Sequence, residues 1–242
     1  MTRVLLLGGT TEARGLADLL AARPDITATA SLAGVTEDPL PYAVSVRRGG
    51  FGGADGLARY LAAERITALV DATHPFATAM SANAAEAARV SAVPLCYLQR
   101  PGWSDPVPRF ASLHAALAAL PPGATAFLAT GRGGLGATEA RPDCRFILRA
   151  IEPIATPPAH VRTIAGRPPF TEASERDTLT ATGATHLILK NSGGQSGRAK
   201  LAAAASLDLT VLMIDRPALP PDIPVVPTPQ AALRWLDSLV TA

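Results

Sequence analysis

The stretch RVLLLGGTTEARGLADLLAA, residues 3–22, decides the fold. Its first five residues form a short, mostly apolar run of the kind found in a buried strand, and Gly8 and Gly9 then permit a tight turn. Apolar residues recur at helical spacing from Glu12 to Ala22. A strand that passes through glycines directly into a helix is typical of the first unit of a parallel α/β sheet.

The same alternation continues on both sides of a proline-rich break. Four further strand-like runs alternate with helical segments up to Leu98, and the stretch QRPGWSDPVPR at residues 99–109 then interrupts the pattern. A second alternating series begins near Ser112. We therefore predict an α/β protein with two Rossmann-like parallel-sheet domains and a cleft between them. The predicted divisions are residues 1–98, a linker at 99–110, and residues 111–242.

Two proline-rich segments of the second half show no clear period. Segment 216–229 contains one short apolar pair, Val225 and Val226, which could join either sheet. Residues 152–170 hold five prolines and a glycine, and we predict that they form a mobile loop or lid.

The composition excludes several classes of protein. With 48% hydrophobic and 17% charged residues, the chain can bury a core and is not disordered. A net charge of +2 without basic–aromatic clusters argues against nucleic-acid binding. No apolar run approaches the length of a membrane span, and the run at residues 4–7 is too short for a signal peptide. Two separate cysteines and four isolated histidines predict no metal site, and a reducing cytoplasm fits best.

The first glycine turn is a candidate dinucleotide site. Gly8 and Gly9 permit a ligand to approach the backbone closely, and Thr10 and Thr11 can cap the helix or donate to phosphate. The turn lacks the GxGxxG spacing, so a purely structural strand-to-helix connection is the alternative.

The ends of the next two strands bear on the choice of cofactor. In NAD-binding sheets the second strand ends in an acid that binds the ribose, whereas here it ends in Thr29–Gly34 without one. A hydroxyl such as Ser31 with a nearby arginine suits a 2′-phosphate, so we predict NADPH as the cofactor. Arg47 and the turn GGFGG at residues 49–53 follow the next strand at the same edge.

A histidine follows the fourth predicted strand, in VDATHPF at residues 70–76. Ligands of α/β sheets bind at this carboxyl edge, where Asp71 and His74 both fall. Because histidine exchanges a proton near neutral pH, His74 is a candidate proton donor, and bound water is the other candidate. A role of His74 as a helix cap is the structural alternative.

The second half offers two more glycine-rich loops. TGRGGLG at residues 130–136 has the literal GxGxxG spacing and competes with the first turn for a dinucleotide, but Arg132 could equally clamp a carboxylate. The only two lysines, Lys190 and Lys200, flank the glycine-rich turn of KNSGGQSGRAK, residues 190–200. A strand, a glycine turn and a helix N-terminus together predict an anion site.

Taken in order, these motifs resemble the precorrin-6A reductase family, in its aerobic or cobalt-precorrin form. The stretches that carry the resemblance are LLLGGTTEAR (5–14), SLAG (31–34), GGFGG (49–53), VDATHPFA (70–77), YLQRPGW (97–103), LATGRG (128–133), and LILKNSGG with AKLAAA (187–194 and 199–204). Each motif alone is unspecific, whereas the ordered set spans nearly the whole chain.

The resemblance implies an NADPH-dependent enzyme of cobalamin biosynthesis that reduces precorrin-6A, or its cobalt form, to precorrin-6B by hydride transfer to a macrocycle carbon. It implies no metal or flavin, and it makes the neighbouring enzymes of the pathway candidate partners, with no nucleic acid or membrane among them. The expected cofactor-binding residues are Gly8, Gly9, Thr10, Thr11, Glu12, Ser31, Arg47, Gly50 and Gly52. A substrate with many carboxylates makes the expected substrate-binding residues Arg14, Arg100, Arg132, Lys190, Ser192, Gly193, Gly194, Lys200 and Arg216.

Two other functions remain open at this point. Another NADP-dependent enzyme, such as an epimerase or dehydratase, would be supported by a Tyr-x-x-x-Lys pair, which the sequence lacks. A non-enzymatic nucleotide-binding regulator would bind NADPH without consuming it.

Overall fold

The computed structural model describes residues 1–33, 40–152, 154–166 and 169–240. It divides into two compact units, of which the first combines Met1–Pro101 with Ala218–Ala242 and the second is Gly102–Pro217. None of the helices in the described part of the chain is both long enough and apolar enough to cross a membrane.

Twelve strands and seven α-helices make up the described residues. The strands are β1 (Thr2–Leu7), β2 (Ile26–Leu32), β3 (Ser45–Arg48), β4 (Ala68–Asp71), β5 (Leu95–Leu98), β6 (Arg109–Phe110), β7 (Thr125–Ala129), β8 (Arg145–Ala150), β9 (Val161–Ala165), β10 (His186–Lys190), β11 (Thr210–Ile214) and β12 (Val225–Val226). The helices are α1 (Thr11–Ala21), α2 (Gly53–Ala63), α3 (Thr78–Ser91), α4 (Leu113–Ala118), α5 (Glu172–Thr182), α6 (Arg198–Ser206) and α7 (Pro229–Val240).

The two units contain six-stranded parallel sheets of matching order. The first sheet runs β3-β2-β1-β4-β5-β12 and the second runs β9-β8-β7-β10-β11-β6. In both sheets the winding direction reverses in the middle, between β1 and β4 in the first and between β7 and β10 in the second. This is the doubly wound order of Rossmann-like folds, so the predicted fold class of two α/β, Rossmann-like parallel sheets is confirmed.

Hydrophobic patterning explains why the first strand–turn–helix unit folds as predicted. Val4–Leu7 of β1 are all buried, because helices cover both faces of a parallel sheet. Helix α1 buries one face, formed by Ala13, Leu16, Ala17 and Leu20, against the core of the first unit. The helix begins at Thr10, whose hydroxyl accepts a hydrogen bond from the N–H of Ala13.

The unit boundaries differ from the predicted ones. The predicted second domain ran to residue 242, whereas Ala218–Ala242 belongs to the first unit. There β12 pairs with β5, and α7 buries Ala232 and Leu236 in the same core as α1. The predicted linker is also structured, because residues from Gly102 onwards belong to the second unit and β6 pairs with β11.

The prediction of a lid over residues 152–170 is wrong for the middle of that segment. Residues 161–165 form β9, an edge strand that pairs with β8 in the second sheet. The sequence VRTIA contains the β-branched residues that strands favour, and the prolines flank this run instead of interrupting it. Pro153, Arg167 and Pro168 of the predicted lid lie outside the described residues.

Candidate functional site

Each sheet has one position where a ligand is expected. In doubly wound sheets ligands bind at the carboxyl ends of the strands, in the crevice where the winding direction reverses. In the first unit this position lies between the loops that follow β1 and β4, and in the second unit between the loops that follow β7 and β10. His74 and three of the glycine-rich stretches fall on these four loops, whereas the glycine turn at residues 49–53 follows β3.

The loop after β1 is shaped by two glycines with different roles. The N–H of Gly8 donates to the carbonyl of Ser31 at 2.9 Å, which extends the pairing of β1 with β2 by one residue. Gly9 has φ +126°, a conformation that side-chain-bearing residues rarely adopt, and a Cβ there would meet no atom within 4 Å. The loop surface at Gly9 is therefore open, as close approach by a ligand requires. The N–H of Gly9 donates to the hydroxyl of Tyr42 at 2.9 Å.

The buried side chain of Thr10 connects this loop to the loop after β4. Its buried hydroxyl accepts from the N–H of Ala13 at 3.1 Å and donates to the carbonyl of Ala72 at 2.8 Å. The hydroxyl proton is therefore already used. The contribution of the Thr10 side chain is to tie the loop after β1 to the loop after β4.

Two arginines that were predicted for the substrate lie beside this loop. Arg14 donates from Nη2 to the hydroxyl of Thr11 at 3.2 Å. Arg100 donates from Nη1 to the carboxylate of Glu12 at 2.5 Å, and both of these side chains are largely buried. Glu12 lies in the first turn of α1, where a carboxylate would repel an anion, and Arg100 neutralises that charge.

The end of β2 holds a guanidinium group in a fixed position. Arg47 donates from Nη1 to the hydroxyl of Ser31 at 2.7 Å and to the carbonyl of Gly49 at 3.0 Å, and from Nη2 to the carbonyl of Gly50 at 3.2 Å. The guanidinium also stacks on the ring of Phe51, with its central carbon 3.9 Å from the ring centre. The structure thus brings together Ser31, Arg47 and the glycine turn, as the sequence predicted.

The rest of that glycine turn connects β3 to α2. Gly52 is the N-cap of α2 in the left-handed conformation, with φ +79°. Gly50 and Gly52, which were predicted as site residues, contribute through the backbone: Gly50 provides a carbonyl acceptor for Arg47, and Gly52 permits the turn.

The loop after β4 is held by Asp71. This carboxylate is 2% exposed and accepts from the N–H and hydroxyl of Thr73 at 2.9 and 2.6 Å, and from the hydroxyl of Ser81 at 2.6 Å. Its role is to fix the loop on α3. His74, three residues on, is exposed, and its Nδ1 accepts from the N–H of Phe76 at 3.3 Å. In the neutral ring this contact places the proton on Nε2, because Nδ1 is the acceptor.

The GxGxxG stretch of the second unit does not lead into an α-helix. After Gly131 the chain makes two 3₁₀ turns, Arg132–Gly134 and Gly136–Ala140. Such short turns lack the dipole of a longer helix, which favours phosphate at its N-terminus. Arg132 is exposed, with Nη2 3.8 Å from Oε2 of Glu152. Thr130 is buried, and its hydroxyl has no hydrogen-bond partner among the described residues.

A buried asparagine and a tryptophan support the loop after β10. The side chain of Asn191 accepts from the N–H of Trp103 at 2.8 Å and donates to its carbonyl at 3.3 Å. The indole of Trp103 donates to the carbonyl of Gly194 at 3.0 Å and lies against Gly197, where a Cβ would come 2.4 Å from the ring. Gly193 and Gly194, predicted as site residues, adopt positive φ over this support.

Two basic side chains lie at the start of the same loop. Arg216 donates from Nε to the carbonyl of Asn191 at 2.8 Å and from Nη2 to that of Ser192 at 3.0 Å. Arg216 therefore fixes the first two residues of the loop by binding their carbonyl oxygens. Lys190 ends β10 and is half-buried, and burial lowers the pKa of its ammonium group.

Lys200, the other lysine, is not on the loop surface. Its ammonium is 3.4 Å from Oε1 of Glu175, which also accepts from Nη1 of Arg149 at 2.7 Å. Glu175 is 1% exposed, and Arg149 stacks between the rings of Phe127 and Phe170. Burial is the main cause that lowers the pKa of Lys200. The structure therefore places Lys200 in an internal ion cluster with Glu175 and Arg149, and its substrate role stays a prediction.

Comparison with known proteins identifies the family of this chain. The family model described as Precorrin-6x reductase CbiJ/CobK matches residues 3–237. The chain belongs to the precorrin-6x reductase family. The precorrin-6A reductase of Rhodococcus erythropolis is 44% identical to this family member over 99% of both chains. A solved structure described as CobK precorrin-6A reductase superposes with a TM-score of 0.91 at 41% identity, covering 98% of this chain and 97% of the other.

Relatives named for the cobalt substrate are more distant from this precorrin-6x reductase family member. The cobalt-precorrin-6A reductase of Priestia megaterium is 28% identical over 89% of this chain and 91% of the relative. The resemblance that the ordered motifs indicated is thus confirmed, and with it membership in a family of reductases.

Sequence reasoning missed four residues at these loops: Tyr42, Trp103, Thr130 and Asn191. Asn191 stood inside a quoted motif, and a buried asparagine directly after a strand is a usable signal for a loop anchor. Tyr42 and Trp103 lie in proline-rich connections far from the loops they contact. Among the described residues, no three His, Cys, Asp or Glu side chains lie close enough together to hold a metal ion.

Proposed function

We propose that this chain catalyses the NADPH-dependent reduction of precorrin-6A to precorrin-6B in cobalamin biosynthesis, by hydride transfer to a carbon of the macrocycle. Full-length similarity to proteins named precorrin-6A reductase supports the reaction. These relatives share a higher sequence identity with this chain than the relative named for the cobalt substrate does, which supports a metal-free substrate. The cytoplasm is its proposed compartment, in keeping with the two buried cysteines, which are both free. The neighbouring enzymes of the pathway are its proposed protein partners.

The position of Arg47 carries the cofactor assignment. Its guanidinium is bound to Ser31 at the end of β2, where sheets that use NAD have an acid. The 2′-phosphate of NADPH fits a cation beside a hydroxyl at this position. The pyrophosphate fits the open surface at Gly9, next to the N-terminus of α1. We therefore assign the cofactor to the first unit.

The second unit would bind the tetrapyrrole. NADPH supplies the hydride when it is bound, so the chain must bind and orient a large substrate with many carboxylates. Lys190 and Arg132 lie on the two loops at the winding reversal and can form charge-assisted hydrogen bonds with carboxylates. Arg216 acts on the Asn191–Ser192 carbonyls and so positions the loop.

His74 stays the proposed proton donor for the neighbouring carbon. It is exposed at the carboxyl edge of the first sheet, on the loop that Thr10 ties to the glycine loop.

The reaction is tested by anaerobic incubation of the whole chain with NADPH and precorrin-6A. We expect NADPH absorbance to fall only when the tetrapyrrole is present, together with a shift in the tetrapyrrole spectrum. NADH at the same concentration should react at least about tenfold more slowly. Tight NADPH binding without consumption by the tetrapyrrole would instead indicate a nucleotide-binding regulator.

The assignment of ligands to units is tested with Lys190→Ala. Tetrapyrrole affinity should fall by roughly 1.5–3 kcal/mol, the worth of one charge-assisted contact, with NADPH affinity unchanged. Arg176→Ala, an exposed arginine on α5, serves as the matched control and should change neither affinity. Loss of NADPH affinity in Lys190→Ala would place the cofactor on the second unit.

A further inference from the structure

The side chain of one tyrosine, Tyr42, contacts the glycine loop after β1, and the reaction described above assigns it no role. The hydroxyl oxygen of Tyr42 accepts the N–H of Gly9 at 2.9 Å, and a Cβ on Gly8 would lie 2.8 Å from that oxygen. The ring packs against the core of the first unit, which holds it in place. Gly8 is therefore needed so that the phenol can approach the loop.

The O–H of this phenol donates to none of the described residues. A tyrosine hydroxyl has one proton to donate and can accept as well. The N–H of Gly9 uses the oxygen as an acceptor, whereas none of the described residues accepts the O–H. Burial raises the pKa of Tyr42, so the hydroxyl keeps its proton at neutral pH.

The surroundings of this donor suit an anion. Gly9 lies at the open surface of the loop, one residue before the cap of α1, and the positive end of that helix dipole faces the same region. The charge of Arg14, on the first turn of α1, acts on the phenol and favours negative charge there. Phosphate oxygens only accept hydrogen bonds, so they match an outward O–H donor.

We propose that Tyr42 binds the dinucleotide directly, by donating its O–H to an oxygen of the pyrophosphate while its own oxygen keeps the N–H of Gly9. The phenol then extends the backbone donor by one hydroxyl group. The accepted bond polarises the O–H and strengthens the bond that it donates. This inference rests on the proposed placement of the cofactor in the first unit.

The test is Tyr42→Phe in the full chain, with dissociation constants for NADP⁺ and NAD⁺ measured by calorimetry. The pyrophosphate is common to both dinucleotides, so both constants should rise by the same factor, roughly 10- to 100-fold. Tyr97→Phe is the matched control, because it removes a buried hydroxyl that donates to the carbonyl of Ser81 in the same unit. Its dissociation constants should stay at the wild-type values.

Other outcomes overturn the inference. Tighter binding in Tyr42→Phe would show that the phenol only blocks the N–H of Gly9, and unchanged binding with lowered thermal stability would show a packing role. Arg47→Met separates this failure from failure of the proposed function. If Arg47→Met weakens NADP⁺ binding but Tyr42→Phe does not, only the role of Tyr42 is lost. If neither variant changes binding, the cofactor does not bind in the first unit.

Discussion

Replacing Arg47 by methionine should remove the proposed preference for NADPH over NADH. The methionine chain keeps the apolar stem that lies on Phe51 but removes the guanidinium that donates to Ser31, Gly49 and Gly50. Those three bonds use both Nη1 protons and one Nη2 proton. Among the described residues, the Nε–H and the second Nη2–H have no acceptor, so they are available to a phosphate.

The size of the effect follows from these two donors. A hydrogen bond between a charged donor and an acceptor contributes about 1.5–3 kcal/mol, and the edge of the sheet is partly open to solvent. We therefore take the range for one such bond as the total for the pair. The NADP⁺ dissociation constant should then rise roughly 10- to 150-fold, while the NAD⁺ constant stays within about twofold of wild type. The variant would bind the two dinucleotides with nearly equal affinity.

Calorimetric titration of the variant with NADP⁺ and NAD⁺ measures both constants. Arg59→Met, an exposed arginine on α2 in the same unit, is the control for loss of one positive charge. A parallel decline in both affinities would refute the reasoning, because it would show that Arg47 supports the loop and does not bind the 2′-phosphate. An unchanged NADP⁺ constant would refute it as well.

Three further perturbations have expected outcomes. Burial holds the pKa of Lys190 below its usual 10.5, so the positive charge of this side chain is lost earlier as pH rises. Tetrapyrrole affinity should therefore weaken towards pH 10.5 in the wild type, whereas Lys190→Arg should keep its affinity over the same range. Dissociation constants measured over a pH series test this. Glu175→Gln leaves two buried cations without an anion and should cost about 3–5 kcal/mol in urea unfolding, whereas Lys200→Met leaves the pair with Arg149 and should cost less than about 1 kcal/mol. Asp71→Ala strands three hydrogen-bond donors and should lower the free energy of unfolding by roughly 2–5 kcal/mol, with the largest loss of hydrogen-exchange protection in the loop after β4.

Strong periodicity made most of the fold predictable. The strand at residues 3–7 and the helix that follows it lie where the apolar pattern placed them, because burial on both faces leaves few alternatives for such a run. Strand β9 escaped prediction, since five residues with prolines on either side resemble an irregular loop. What identifies it as a strand is its pairing with β8, which no local pattern contains.

The candidate site was predictable in outline but not in its pairings. Glycine loops at strand ends have a local signature, and the structure places three of them at the two winding reversals and the fourth, residues 49–53, after the edge strand β3. The partners of charged residues have none. Arg100 pairs with Glu12 across 88 positions of sequence, and Lys200 lies against the buried Glu175 of another helix. Counting basic residues near turns therefore assigned both to the substrate, although each already has an internal partner.

The two shortest strands show where the limit lies. Strands β6 and β12 contain two residues each, too few to display any period, and both follow proline-rich segments. Backbone hydrogen bonds decide their sheets: Gln99 donates to Val226 in the first unit, and Asp215 donates to Phe110 in the second. Each becomes the edge strand of the unit that the chain has just entered. The first unit is consequently discontinuous, because its sheet lacks its sixth strand and its core lacks Ala232 and Leu236 until the last part of the chain folds onto it. Contacts so distant in sequence form late and slowly, so the second unit, which is continuous, should fold first. The glycine loop after β1 should become fully ordered only when α7 packs against α1.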